Sequence, residues 1–224
     1  MKTKLNLSTL AAVAASLWLL AAATLTAADM TRLDPRSGSK MRIEGTSLAH
    51  DWQAESPLIL GFLEVGSNFP TEPGQAVTPG KVEARGQASV AVRSLYSKKA
   101  DGSFYDDKMD TKMREMLKEQ TCTNIVYRLD ELVLKEAPKD KNGPYLFDST
   151  GELTVACVSK KISMPISVLP LPNKTVKITG SAPLKMTDFK IEPAHILFVK
   201  TADEVTVKFV WMVGQKKAAA AASK

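Results

Sequence analysis

Apolar residues fall on alternate positions over long stretches of this chain. The clearest run is 81–93: Val82, Ala84, Gly86, Ala88, Val90 and Val92 share one parity, while Lys81, Glu83, Arg85, Gln87, Ser89 and Arg93 share the other. Such a run predicts a half-buried antiparallel strand or strand pair. The same period recurs at Ile125, Tyr127 and Leu129, then at Leu153, Val155 and Cys157, and again at Ile162, Met164, Ile166 and Val168. It returns at Val176, Ile178, Gly180, Ala182, Leu184 and Met186, and at Val205, Val207, Phe209, Trp211 and Val213. A first strand starts at Met41 and Ile43 and is broken at Gly45 before Leu48 and Trp52, where a glycine suggests a bulge or bend. Leu58 to Val65 is apolar on both parities, so its faces stay unassigned.

One segment has helical spacing instead. Met109, Met113, Met116 and Leu117 predict an amphipathic helix over 109–119, capped by Asp107 or Asp110. Loops are expected at 67–80, rich in proline and glycine, and at 94–104, with an irregular segment at 187–201. Hairpin turns are expected near Lys139 to Gly143 and at Val158 to Lys161. About eight strands with polar outer faces and one short helix describe an all-β antiparallel barrel or sandwich. A closed barrel is preferred, because it leaves no unpaired sheet edge.

The ends lie outside this pattern. Lys2 and Lys4 precede an apolar run from Leu10 to Leu25, followed by Thr26, Ala27 and Ala28. That order predicts a signal peptide over 1–28, cut after Ala28 or one residue earlier; the alternative is an uncleaved anchor. Removing 1–28 takes away two lysines and no acid, leaving 196 residues with a net charge of +4. Residues 29–40 read as an N-terminal linker, 41–214 as the barrel domain, and 215–224 as a disordered alanine–lysine tail. The basic residues are dispersed rather than clustered, so no nucleic-acid partner is expected.

Cys122 and Cys157 are the only cysteines. In an oxidising compartment they are candidates for one disulfide. Side-chain parity opposes it if Cys122 lies on the strand, since Thr123 then shares the inward face of Ile125 and Tyr127; a bridge needs Cys122 just off the strand, at the helix exit. His50-Asp51 invites an acid–base reading, but the other histidine, His195, is remote in sequence and no nucleophile motif is present. No metal site and no cofactor is expected.

Several segments taken in order resemble one family. Gly45-Thr46-Ser47-Leu48-Ala49-His50-Asp51-Trp52 is similar to the first-strand "G-T-S-x-x-H-D-W" variant of YceI-like proteins, a departure from their commoner His-Ser form. Met109-Asp110, Met113 and Leu117-Lys118 resemble their "M-D-x-x-M-x-x-x-L-K" helix, and Ile125-Val126-Tyr127 the strand after it. Gly151 to Lys160 resembles the "G-x-L-T-V-x-G-V-T-K" hairpin, with Cys157 where the family has glycine. Met186-Thr187-Asp188-Phe189-Lys190-Ile191 resembles "M-T-D-F-x-I".

The resemblance implies an exported, lipocalin-like β-barrel, periplasmic or secreted, that is not an enzyme and whose interior can hold a polyisoprenoid chain. Candidate ligand-binding residues are Trp52, Phe62, Val90, Val92, Met113, Met116, Leu117, Ile125, Tyr127, Leu153, Val155, Phe189, Phe209 and Trp211. The helix would serve as a methionine-rich lid or simply pack against one barrel end. The expected partner is a long-chain apolar lipid of polyisoprenoid type, with membrane contact transient at most. A second reading has the large side chains fill the barrel, leaving a protein-interaction or envelope-stress module. A third makes His50 and Asp51 part of an envelope hydrolase.

Overall fold

The structure, a computed structural model, describes residues 30–196 and 199–215. The strands in chain order are β1 (Thr31–Pro35), β2 (Lys40–Ser47), β3 (Trp52–Ser56), β4 (Leu60–Val65), β5 (Gly80–Val82), β6 (Ala84–Ala91) and β7 (Tyr96–Lys98). The helix α1 (Asp107–Met116) follows, then β8 (Asn124–Glu136), β9 (Tyr145–Val155), β10 (Val158–Pro170), β11 (Thr175–Lys185), β12 (His195–Ile196) and β13 (Val199–Gln215). The leader expected over 1–28, and all of the expected tail except Gln215, lie outside the described residues.

These segments build eight long antiparallel strands, because three of the eight are interrupted. β1 and β2 form one, broken at Arg36 to Ser39; β3 and β4 another, broken at Pro57; and β5, β6 and β7 a third, broken by a 3-10 turn at Val92–Ser94. The ring then runs β1-β4-β6-β8-β9-β10-β11-β13 and closes by pairing β13 with β1. β2 continues β1 along β13, β3 pairs β2, and β7 pairs β3, so this side rises into a lip at one end. The breaks are repaired by side chains. The Ser39 hydroxyl accepts from the Met212 amide at 3.0 Å and donates to the Arg36 carbonyl. Where Pro57 has no N–H to offer, the fully buried Ser56 hydroxyl bonds to Leu58 and, at 2.8 Å, to Ser94.

The linker expected over 29–40 is therefore wrong in part: Thr31–Pro35 is a wall strand, and Leu33 is buried. Its short run, with Pro35 and Gly38 nearby, hid an alternation only three residues deep. The helix also starts and stops earlier than expected. Asp106, rather than Asp107 or Asp110, caps it by accepting from the Lys108 amide at 2.6 Å. Asp110 is buried and does different work: its carboxylate accepts from the Ser97 amide of β7 at 2.6 Å and lies 3.8 Å from Arg114. Arg114 in turn donates to the Leu95 carbonyl and stacks over Tyr96. This network fastens α1 to the lip. The helix ends at Met116, and Lys118 takes a left-handed conformation (φ 56°) that turns the chain towards β8.

Cys122 sits just off β8, in the segment leaving the helix, and is bonded to Cys157 with a Cα–Cα distance of 5.5 Å. Cys157 is not on the inward face of β9, and the turn is not at 158–161. The turn is the two-residue pair Ala156-Cys157, both at positive φ (48° and 63°), joining the facing residues Val155 and Val158. Two left-handed central residues make the tight hairpin connection whose twist suits the flanking strands. Neither residue is glycine, so the left-handed conformation is strained by roughly 1–2 kcal/mol per residue.

Closing a 35-residue separation by a disulfide stabilises by about 4 kcal/mol in the chain-entropy treatment. The pair Cys122→Ala with Cys157→Ala is expected to lose about 3–4 kcal/mol of unfolding free energy in urea titration. Placing glycine at 157 instead is expected to recover about 1 kcal/mol by relieving the left-handed cysteine. Equal stability of the two double variants would contradict that account of the turn.

Candidate ligand-binding cavity

With the ring closed, one parity of each strand points inward, and these side chains do not meet at the centre. They leave a cavity of about 520 Å³. Its size lies within the ~300–1,000 Å³ typical of small-molecule sites. At one end the loop between β4 and β5 folds across as a floor, with Phe69 buried and stacked on Phe147 at 6.1 Å between ring centroids. Beside it the buried Tyr145 donates its hydroxyl to the Gln75 carbonyl, and burial pushes its phenol pKa up. At the other end the lining includes Tyr105, Asp106, Lys108, Lys112 and Lys185, all from α1, the loop before it or the end of β11. That polar rim marks the mouth.

Of the candidate residues, Trp52, Val90, Met113, Met116, Leu117, Ile125, Tyr127, Leu153, Val155, Phe189, Phe209 and Trp211 line this cavity. Met113 and Met116 lie over the mouth, and Trp211 lies towards the floor, where β13 approaches its pairing with β1. Phe62 does not line it. The inward parity of β4 belongs to Leu63 and Val65, and the Phe62 ring lies on the outer face under the Arg32 guanidinium at 4.5 Å. Val92 does not line it either, because β6 ends at Ala91 and the 3-10 turn carries Val92 into packed core. Sequence reasoning missed Ile59 and Leu63, whose strand gave no parity signal, and Phe69, which comes from a loop. It also missed Ser149, a polar residue on the inward parity of β9.

A model of the YceI-like domain matches residues 44–212. The chain belongs to the YceI-like family. Among solved structures, this YceI-like barrel is similar to BcnA of Burkholderia cenocepacia, with TM-score 0.55, 17% identity, and coverage of 78% of this chain and 95% of that one. It is also similar to a polyisoprenoid binding domain from Saccharophagus degradans implicated in plant cell wall breakdown, with TM-score 0.58, 13% identity, and coverage of 84% and 99%. At these identities the likeness is one of fold. No curated protein matches the chain.

The motif carrying His50 in this YceI-like chain forms the β2–β3 turn at the lip. His50 is exposed; its Nδ1 meets the main-chain oxygen of Asp51 at 2.8 Å and its Nε2 faces the Tyr105 hydroxyl at 3.4 Å. The Ser47 hydroxyl closes the turn by donating to the His50 carbonyl. The histidine is thus engaged by a backbone oxygen and a phenol, not by the Asp51 carboxylate, and the nearby serine is spent on the turn. Among the described residues no cluster of three or more His, Cys, Asp or Glu side chains is placed to hold a metal ion. No described helix is long and apolar enough to cross a membrane.

The mouth segment Met186–Phe189 is a 3-10 turn that places Met186 and Phe189 on the cavity. Asp203 holds it by accepting from the Thr187 amide at 2.9 Å and the Thr187 hydroxyl at 2.6 Å. These hydrogen bonds, the hydroxyl first, lower the Asp203 pKa below its ordinary value. A depressed carboxyl contributes stability that is present above the unfolded value and lost as pH falls through the folded one. In an acid titration the Thr187 amide resonance should therefore move with a midpoint below that of an unperturbed aspartate. A midpoint at or above it would show that the tether is absent in solution.

Proposed function

We propose that this YceI-like barrel is an exported binding protein that sequesters or carries a long apolar chain of polyisoprenoid type. The observation that carries the reading is the apolar cavity, floored at Phe69 and rimmed with polar side chains at the α1 end. Each methylene buried there is worth about 0.8 kcal/mol, so a few isoprene units offset an association cost of roughly 4–15 kcal/mol. The polyisoprenoid binding described for the Saccharophagus domain supports the same ligand class. The leader-like sequence of 1–28 and the Cys122–Cys157 disulfide support export, since such bonds persist in oxidising compartments. The reading of a barrel filled by its own side chains is disfavoured by the open volume, since Trp52, Phe209 and Trp211 line it rather than close it. The hydrolase reading is disfavoured by the contacts of His50. In this reading the protein is a carrier without cofactor or catalytic step, and it meets membranes only transiently.

Native mass spectrometry of the purified protein, followed by solvent extraction, should yield a bound long-chain apolar lipid. A second arm fills the space: Ala88→Phe projects a ring from β6 into the cavity and is expected to reduce the bound lipid several-fold in a protein that still folds. Recovery of no apolar ligand from the unaltered protein, together with no uptake of added polyprenol, would defeat the proposal.

A further inference from the structure

Halfway down the cavity wall lies a polar pair that a container for pure hydrocarbon does not need. The Tyr127 phenol packs against Gly151 of the neighbouring strand, so close that a Cβ on Gly151 would fall 2.7 Å from the phenol oxygen. This places the hydroxyl against Ser149, with 2.8 Å between the two oxygens. Both residues line the cavity, and Ser149 is almost wholly buried. The other charged and strongly polar lining residues, such as Lys108, Lys112 and Lys185, belong to the mouth.

Two hydroxyl groups carry two hydrogens, and the bond between them uses one. Among the described residues neither oxygen has another partner, so the second hydrogen has no acceptor. An unpaired buried donor costs about 1–3 kcal/mol, which a ligand oxygen could remove. The phenol stays a neutral donor, because burial, helped by Asp130, pushes its pKa up against the opposing effect of the Ser149 bond. A charged oxygen would be a poor partner at this depth, since the lysines stand at the mouth and a buried unpaired charge is costly.

We infer that the ligand carries a neutral acceptor oxygen of carbonyl type, which takes the spare hydrogen of the Tyr127–Ser149 pair inside the barrel. This rests on the carrier reading above and narrows its ligand from any apolar chain to one with an uncharged oxygen set at mid-depth. Either hydroxyl alone still has a hydrogen to give. Tyr127→Phe and Ser149→Ala should therefore each keep most of the preference, and only the double variant should lose it.

The test uses delipidated protein and two probes of equal chain length, a linear alkene and the corresponding mid-chain ketone. The ratio of ketone to alkene affinity is expected to fall about tenfold between the unaltered protein and Tyr127→Phe/Ser149→Ala, the equivalent of one hydrogen bond. Replacing both partners by apolar groups is close to neutral for folding, and an unchanged circular dichroism spectrum and thermal unfolding midpoint check that the double variant is intact. The infrared carbonyl band of the bound ketone should lie below its position in alkane solvent and return towards it in the double variant. An unchanged ratio, or a carbonyl band in the unaltered protein at its alkane position, would overturn the inference while alkene binding upheld the carrier reading. Failure of both probes to bind would overturn the carrier reading and this inference with it.

Discussion

The short pairing of β1 with the end of β13, Leu33 with Gln215, Asp34 with Gly214 and Pro35 with Val213, turns a curved sheet into a tube. Arg36 reinforces the seam: its amide donates to the Met212 carbonyl at 2.7 Å and its guanidinium to the Gln215 carbonyl. A sheet of this size left open would present two rows of unpaired amides and carbonyls. Closure satisfies them and gives every strand an inside and an outside. The cavity follows from that closure, because a ring of eight strands is just wide enough to enclose a small ligand. The side chains on the inner parity then decide how much of the space stays open.

Much of this was legible in the sequence, and the legible parts share a physical reason. Where one face of a strand meets water, as at 81–91, the polar residues mark the outside and parity reads directly as inward or outward. Ile125, Leu153, Phe209 and Trp211 were found that way, and they do line the cavity. The same logic fails where both faces are covered. On β4 the outer face is shielded by β1 residues such as Arg32, whose guanidinium rests on Phe62, so an apolar residue could point outward. At Val92 a single 3-10 turn shifted the phase.

Other features were hidden for different reasons. Thr31–Pro35 closes the barrel through backbone bonds, which leave little trace in side-chain pattern. The Ala156-Cys157 turn lacks the glycine that usually marks a left-handed position, since a disulfide holds Cys157 there. Asp110 looked like a helix cap because it stands near the helix start, yet its carboxylate satisfies an amide of β7. Ser149 breaks the apolar parity of β9 and is explained only once Tyr127 is seen reaching it across Gly151.

An interior that is a place for a ligand, rather than a gap in the packing, brings a bound chain into contact with the side chains that line it. The chain has three tryptophans, so Trp18→Phe/Trp52→Phe leaves Trp211 alone, deep in the cavity. Titrating that delipidated variant with a brominated polyprenyl chain reads contact with the one remaining indole through its fluorescence. Saturable quenching that an unbrominated chain competes away is the expected result. Chain binding without quenching of Trp211 would place the lipid outside the barrel and contradict the account.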